Sequence, residues 1–173
     1  MKEISKRSII AILALLVSFS SSVFATELDE HLRDLKPLMG AEWVGGYAGE
    51  KASADALELE FVLRFEPILG GKVVLYSREV EAANFSGVTH FFWNPQRSEV
   101  CYINLNNRGI VEEGFVESDS GGIVLHGKSY WSDRTVEVKT TLMIDANGTL
   151  TDTFMRQENG QWVEGHVQKF VAK

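Results

Sequence analysis

The chain has 173 residues, 45% of them hydrophobic and 10% aromatic, with a formal charge of −7 at neutral pH. That sign gives no electrostatic support for a nucleic-acid backbone or an anionic membrane surface as a partner, since both repel an acidic protein. The only cysteine, Cys101, excludes an internal disulfide and any CxxC metal site.

At the start, Lys2, Lys6 and Arg7 precede an uninterrupted apolar run over 9–17, and Val23-Phe24-Ala25 supplies tolerated residues at the −3 and −1 positions. This is the layout of a secretory signal cleaved after Ala25, so residues 1–25 are excluded from the fold. The run is shorter than the ~20 residues of a membrane-spanning helix. The expected mature chain, 26–173, is one domain of 148 residues; losing three basic residues and one acid takes its charge from −7 to −9. The expected location is the periplasm or the extracellular space, with no membrane anchor after cleavage.

Thr26-Glu27-Leu28-Asp29 resembles a capping box and predicts a short helix. Leu28, Leu32, Leu35 and Met39 form its apolar stripe, and Pro37 predicts its end near Lys36. Everything after Gly40 has strand grammar. Residues 42–49 are glycine-rich, as at a barrel corner. Over 57–65, Leu57, Leu59, Phe61, Leu63 and Phe65 alternate with polar or smaller residues, predicting an amphipathic strand. Further strands are predicted over 72–80, 86–93, 99–105, 110–117 and 123–131, separated by Gly70-Gly71, Asn94-Pro95, Asn106-Asn107 and Gly121-Gly122. The stretch over 134–171 is cut by Asn147-Gly148 and Asn159-Gly160 into a three-strand meander, because Asn-Gly tolerates the positive φ of tight hairpins.

About ten strands joined by short turns, with no helical crossover, predict an all-β, antiparallel, up-and-down sheet. Closure into a barrel removes its two edges. The N-terminal helix is expected near one mouth; a two-sheet sandwich is the alternative.

The stretch Leu38-Met39-Gly40-Ala41-Glu42-Trp43-Val44-Gly45 resembles the Leu-x-Gly-x-Trp-x-Gly opening of calycin-type barrels, with one extra residue between Gly40 and Trp43. Gly70-Gly71, Trp93-Asn94-Pro95 and the late Asn-Gly turn are most similar to the bacterial lipocalin-like and nitrobindin-like families. The resemblance implies a small apolar or amphipathic ligand inside the barrel. In nitrobindins it implies a haem on a late histidine, and His166 is the matching candidate.

Unpaired charges avoid interiors, so Lys and Glu mark outward faces. By that rule Phe61, Leu63, Phe65, Val138, Thr140 and Leu142 face inward, and Lys128 sends His126 out. Lys169 leaves Trp162, Glu164, His166, Gln168 and Phe170 facing inward, with Arg156 of ambiguous direction. An inward Arg156–Glu164–His166 group would hold a ligand's polar head while Phe61 and Phe65 take its apolar body. His90, set among aromatics, and Trp43, expected as a plug at the base, complete the ligand-binding candidates.

No catalytic or metal residues are assigned. The histidines lack paired metal-ligand spacing, there is no Gly-x-Ser-x-Gly elbow, and Glu112-Glu113 point to opposite faces of one strand. The expected function is binding of a small hydrophobic or amphipathic molecule. The alternatives are an isomerase or hydrolase of a lipophilic substrate working through Glu164 and His166, haem binding, or an interaction module with a filled barrel.

Overall fold

The computed structural model describes residues 27–49, 53–119 and 121–173. The signal segment, Thr26 of the expected cap, 50–52 of the loop after the first strand, and Ser120 lie outside the described residues.

Ten strands follow an N-terminal helix: β1 (Glu42–Ala48), β2 (Phe61–Ile68), β3 (Val73–Val80), β4 (Phe85–Asn94), β5 (Glu99–Asn106), β6 (Val111–Asp119), β7 (Gly122–Tyr130), β8 (Thr135–Ile144), β9 (Leu150–Glu158) and β10 (Gln161–Ala172). Each pairs antiparallel with its neighbour in sequence, and β1 pairs with β10, so the sheet is a closed barrel. The up-and-down barrel expected from the short turns is therefore the fold, and the sandwich is not.

The helix differs from its prediction. It is a 3-10 helix over Glu30–Leu38 with Pro37 inside it, capped by Asp29, whose side chain accepts from the His31 amide. A 3-10 helix has three residues per turn. Leu32, Leu35 and Leu38, spaced by three, thus share its buried face, whereas the stripe expected at 3.6 periodicity ran through Leu28 and Met39. This helix closes one end of the barrel. Trp43 donates its indole N–H to the Leu38 carbonyl at 2.8 Å, His31 stacks on Trp93 at 3.9 Å, and Lys72 pairs with Asp29 at 2.7 Å. Lys72 above all, then His31, holds the Asp29 carboxyl well below the usual carboxylate range.

The second strand also starts later than its pattern suggested. Leu57 ends a one-turn helix, Ala54–Leu57, capped by Ser53, and lies outside the barrel wall at 53% exposed. Alternation alone cannot separate a strand from the chain leading into it. Pro67 lies within β2 rather than in a turn, beyond Arg64, the last residue that β1 pairs, in a part of the strand that is an edge on its β1 side. Asn159-Gly160 has positive φ at both residues, the expected tight hairpin. At Asn147-Gly148 only the glycine does, and Asp145 accepts from the Asn147 and Thr149 amides, so that turn is a wider one.

Beneath the helix the lumen is largely filled, apart from a pocket of about 260 Å³ between Pro37 and Leu38 of the helix and Ile123, Leu142 and Ile144 of the wall. Trp43, Phe61, Leu63, Phe65, Val74, Phe91, Ile123, Leu142, Leu150 and Phe170 form one buried cluster with the helix leucines.

Candidate functional site

Farther from the helix, side chains stop filling the lumen. A cavity of about 210 Å³ remains, and no helix residue lines it. Its wall is built by strand alternation. Residues paired across the sheet share a face, so Arg78 of β3 faces in with Leu63 and Gly87, and Asp152 of β9 with Leu142 and Gln168. Glu112 of β6 faces in with Asn104 and Ser129, while adjacent Glu113 faces out with Lys128. Phe85, Tyr102, Trp131 and Phe154 supply aromatic surface.

Arg78 and Asp152 form an ion pair between strands that are not neighbours. The same guanidinium donates twice to the Tyr76 hydroxyl, at 3.0 and 2.7 Å. Burial works against the Arg78 charge, but Tyr76 and Asp152 outweigh it and keep the group above its ordinary value. Burial pushes the Tyr76 hydroxyl up to about 12, so it stays protonated. Glu112 is also pushed up by burial, against the opposing effects of Ser129 and Arg78. Ser129 in turn accepts from the Trp131 indole at 2.8 Å. Asn104 donates to Thr89 at 2.7 Å.

Asp152 is fully buried, yet one carboxylate oxygen, Oδ1, has no protein partner; neither does His166 Nε2 or the Gln168 amide. Buried polar atoms are nearly always bonded, so such a concentration beside one cavity marks room for water or a ligand. His166 stacks on Phe154 at 5.1 Å with Tyr47 edge-on at 5.7 Å. Burial lowers its pKa to about 4, leaving a neutral ring at pH 7.

Of the seven residues singled out in the sequence, only His166 lines this cavity. Arg156 shares the inward face with Val138, but its guanidinium bonds Glu158 at 2.6 Å. Glu164 corrects the expected group. A β-bulge between Glu164 and His166 shifts the register, so Glu164 pairs with Met155 on the outer face while His166 pairs with Phe154 on the inner one. The inserted residue is Gly165, where a Cβ would sit 2.5 Å from the Phe154 ring. Trp162 likewise faces out, with Lys139 over its ring. His90 is another correction: it pairs with Leu75 and Ile103 on the outer face, which it shares with Phe92, while Phe91 and Trp93 face inward. Phe61, Phe65 and Trp43 belong to the filled part of the lumen and do not line the cavity; Phe65 stacks on Tyr76 at 4.3 Å.

The haem implied by the nitrobindin resemblance does not fit. At about 210 Å³ the cavity lies below even the ~300 Å³ at which sites for drug-sized ligands begin, and haem is larger than such ligands.

Arg78, Glu112 and Asp152 escaped the rule that charges face out: Arg78 and Asp152 pair with each other, and Glu112 takes a hydrogen bond from Ser129. Alternation from Val74 and Tyr76 to Val80 does place Arg78 on the buried face. No local signal identifies its partner on a strand 74 residues away.

Fold and site together define a closed, ten-stranded antiparallel barrel, compatible with a calycin-like fold, with a polar cavity in one half of its lumen. No family model matches the chain, and no curated protein matches it in sequence.

Proposed function

We propose that this protein is a binding barrel for a compact amphipathic molecule, held in the lumen on the side away from the helix, and that it works in the periplasm or outside the cell. The observation that carries this reading is the cavity bounded by fully buried Asp152 with an unpartnered oxygen and by His166 with an unpartnered nitrogen. Placing polar groups there costs stability in an empty protein, and a ligand that bonds them offsets that cost. At about 210 Å³ the space equals roughly seven waters at ~30 Å³ each. It suits a one-ring molecule better than an extended fatty chain. The calycin resemblance supports the same location for the ligand. Charged outward residues in mid-strand, such as Arg64, Glu113 and Lys139, support an aqueous setting rather than a lipid-facing wall.

Ligand-observed NMR with a library of one-ring polar fragments tests the proposal. Binders are expected, and Thr140→Trp, which fills the cavity from β8, should abolish their binding. An absence of binders, or binding that survives Thr140→Trp in the folded variant, refutes the lumen as the site.

A further inference from the structure

The lumen also carries information about the charge of what it holds. Apart from tyrosines, the ionisable side chains lining the cavity are Arg78, Glu112, Asp152 and His166. Arg78 is committed to Asp152 and Tyr76. His166 is neutral at pH 7. Nearby Arg156 is turned onto Glu158. One guanidinium therefore faces two carboxylates, and the wall carries a surplus acid whose counter-charge the protein does not supply.

We infer that the lumen is a site for a compact organic cation, such as a primary amine, with Glu112 and Asp152 as its counter-charges and Tyr102, Trp131 and Phe154 as its aromatic walls. This rests on the lumen being the binding site.

Three other occupants fare worse. An anion would meet two carboxylates and no uncommitted guanidinium. A wholly apolar guest would leave Asp152 Oδ1 unbonded in a dry site, at the full desolvation cost of that atom. A bare metal ion lacks its ligands: no group of three or more His, Cys, Asp or Glu side chains assembles among the described residues. An ammonium group supplies three donors and a positive charge. It can bond Asp152 Oδ1 and Glu112 while its carbon framework lies against aromatic faces, which attract cations. The chain's net charge of −7 draws cations toward the barrel and repels anions.

Glu112 is built for this part. Ser129, fixed by the Trp131 indole, bonds its carboxylate from β7, and Asn104 flanks it from β5. An acid so positioned, and disfavoured as an anion by burial, gains most from a cation placed beside it.

Three probes of one shape decide the matter: benzylamine, benzyl alcohol and benzoate, titrated into the purified protein and followed by calorimetry and tryptophan fluorescence. Benzylamine is expected to bind at least about tenfold more tightly than benzyl alcohol, with benzoate weakest. Glu112→Gln keeps the shape and a Ser129 partner, and should bring benzylamine down to the affinity of the alcohol. The ranking on the unaltered protein decides if that variant does not fold. Alcohol or benzoate binding as tightly as the amine, and lost in Thr140→Trp, overturns the charge inference while the lumen reading stands. Failure of all three to bind, or binding indifferent to Thr140→Trp, overturns both.

Discussion

Arg78 and Asp152 meet across the lumen from β3 and β9, with the Asp152 side chain 1% and the Arg78 side chain 20% exposed. An ion pair this sheltered stabilises little over a matched apolar pair, but breaking it strands a charge. Arg78→Met should therefore cost about 3–5 kcal/mol, and Arg78→Met with Asp152→Leu should recover most of that. Urea denaturation of the four-member cycle measures the coupling; a single-variant loss under about 1 kcal/mol would show the pair to be slack. His166 gives a pH signature of opposite origin. Its folded pKa of about 4 lies below the ordinary 6.5, so the unfolded chain takes up a proton that the barrel resists. This contribution to stability is fully present above pH 6.5, declines as the pH falls toward 4, and levels off below that, a loss of up to about 3 kcal/mol. His166→Gln should flatten that part of the stability–pH curve, and an NMR titration of the imidazole should show no protonation at pH 5.5.

At the scale of elements, β10 shows what alternation can and cannot supply. Val167, Lys169 and Val171 against Gln168 and Phe170 set its faces correctly near the end, and His166 was legible as an inward residue. One inserted glycine, Gly165, then reversed Trp162 and Glu164, because the side-chain period of a strand is two and a single extra residue flips everything beyond it. A bulge leaves no trace in hydrophobicity, so the sequence offered a contiguous Glu164–His166 site where the sheet makes half of one. The same strand leans on β1 through Gly45, where a Cβ would lie 1.9 Å from the Lys169 carbonyl oxygen. Backbone cannot yield as a flexible side chain can. Gly45→Ala should cost about 3 kcal/mol or more, whereas Gly148→Ala, with open space around it, should lose only the strain of its positive φ. Thermal melts of the two variants compare them directly.

For the whole molecule, the turns carried most of the information. Gly70-Gly71, Asn94-Pro95 and Asn159-Gly160 punctuated the chain often enough to count ten strands, and a sheet of that many antiparallel strands closes. What fills such a cylinder is a different kind of property. Trp43 and Phe65 were legible as inward residues, yet whether they line space or fill it depends on the leucines of a helix that plugs one end. The polar half of the lumen depends on pairings such as Arg78 with Asp152, which no local pattern records.

The β1–β10 ladder joins Trp43 to Ala172, the first strand to the last, whereas every other ladder joins consecutive strands. Consecutive strands can zip from their turns, but this seam must wait until the intervening chain has been gathered, since closing a long loop costs entropy before any contact rewards it. The seam should therefore be absent from the folding transition state. In stopped-flow chevrons, Gly45→Ala should accelerate unfolding and leave the refolding limb nearly unmoved, making this one line of hydrogen bonds the latch that sets the lifetime of the native barrel.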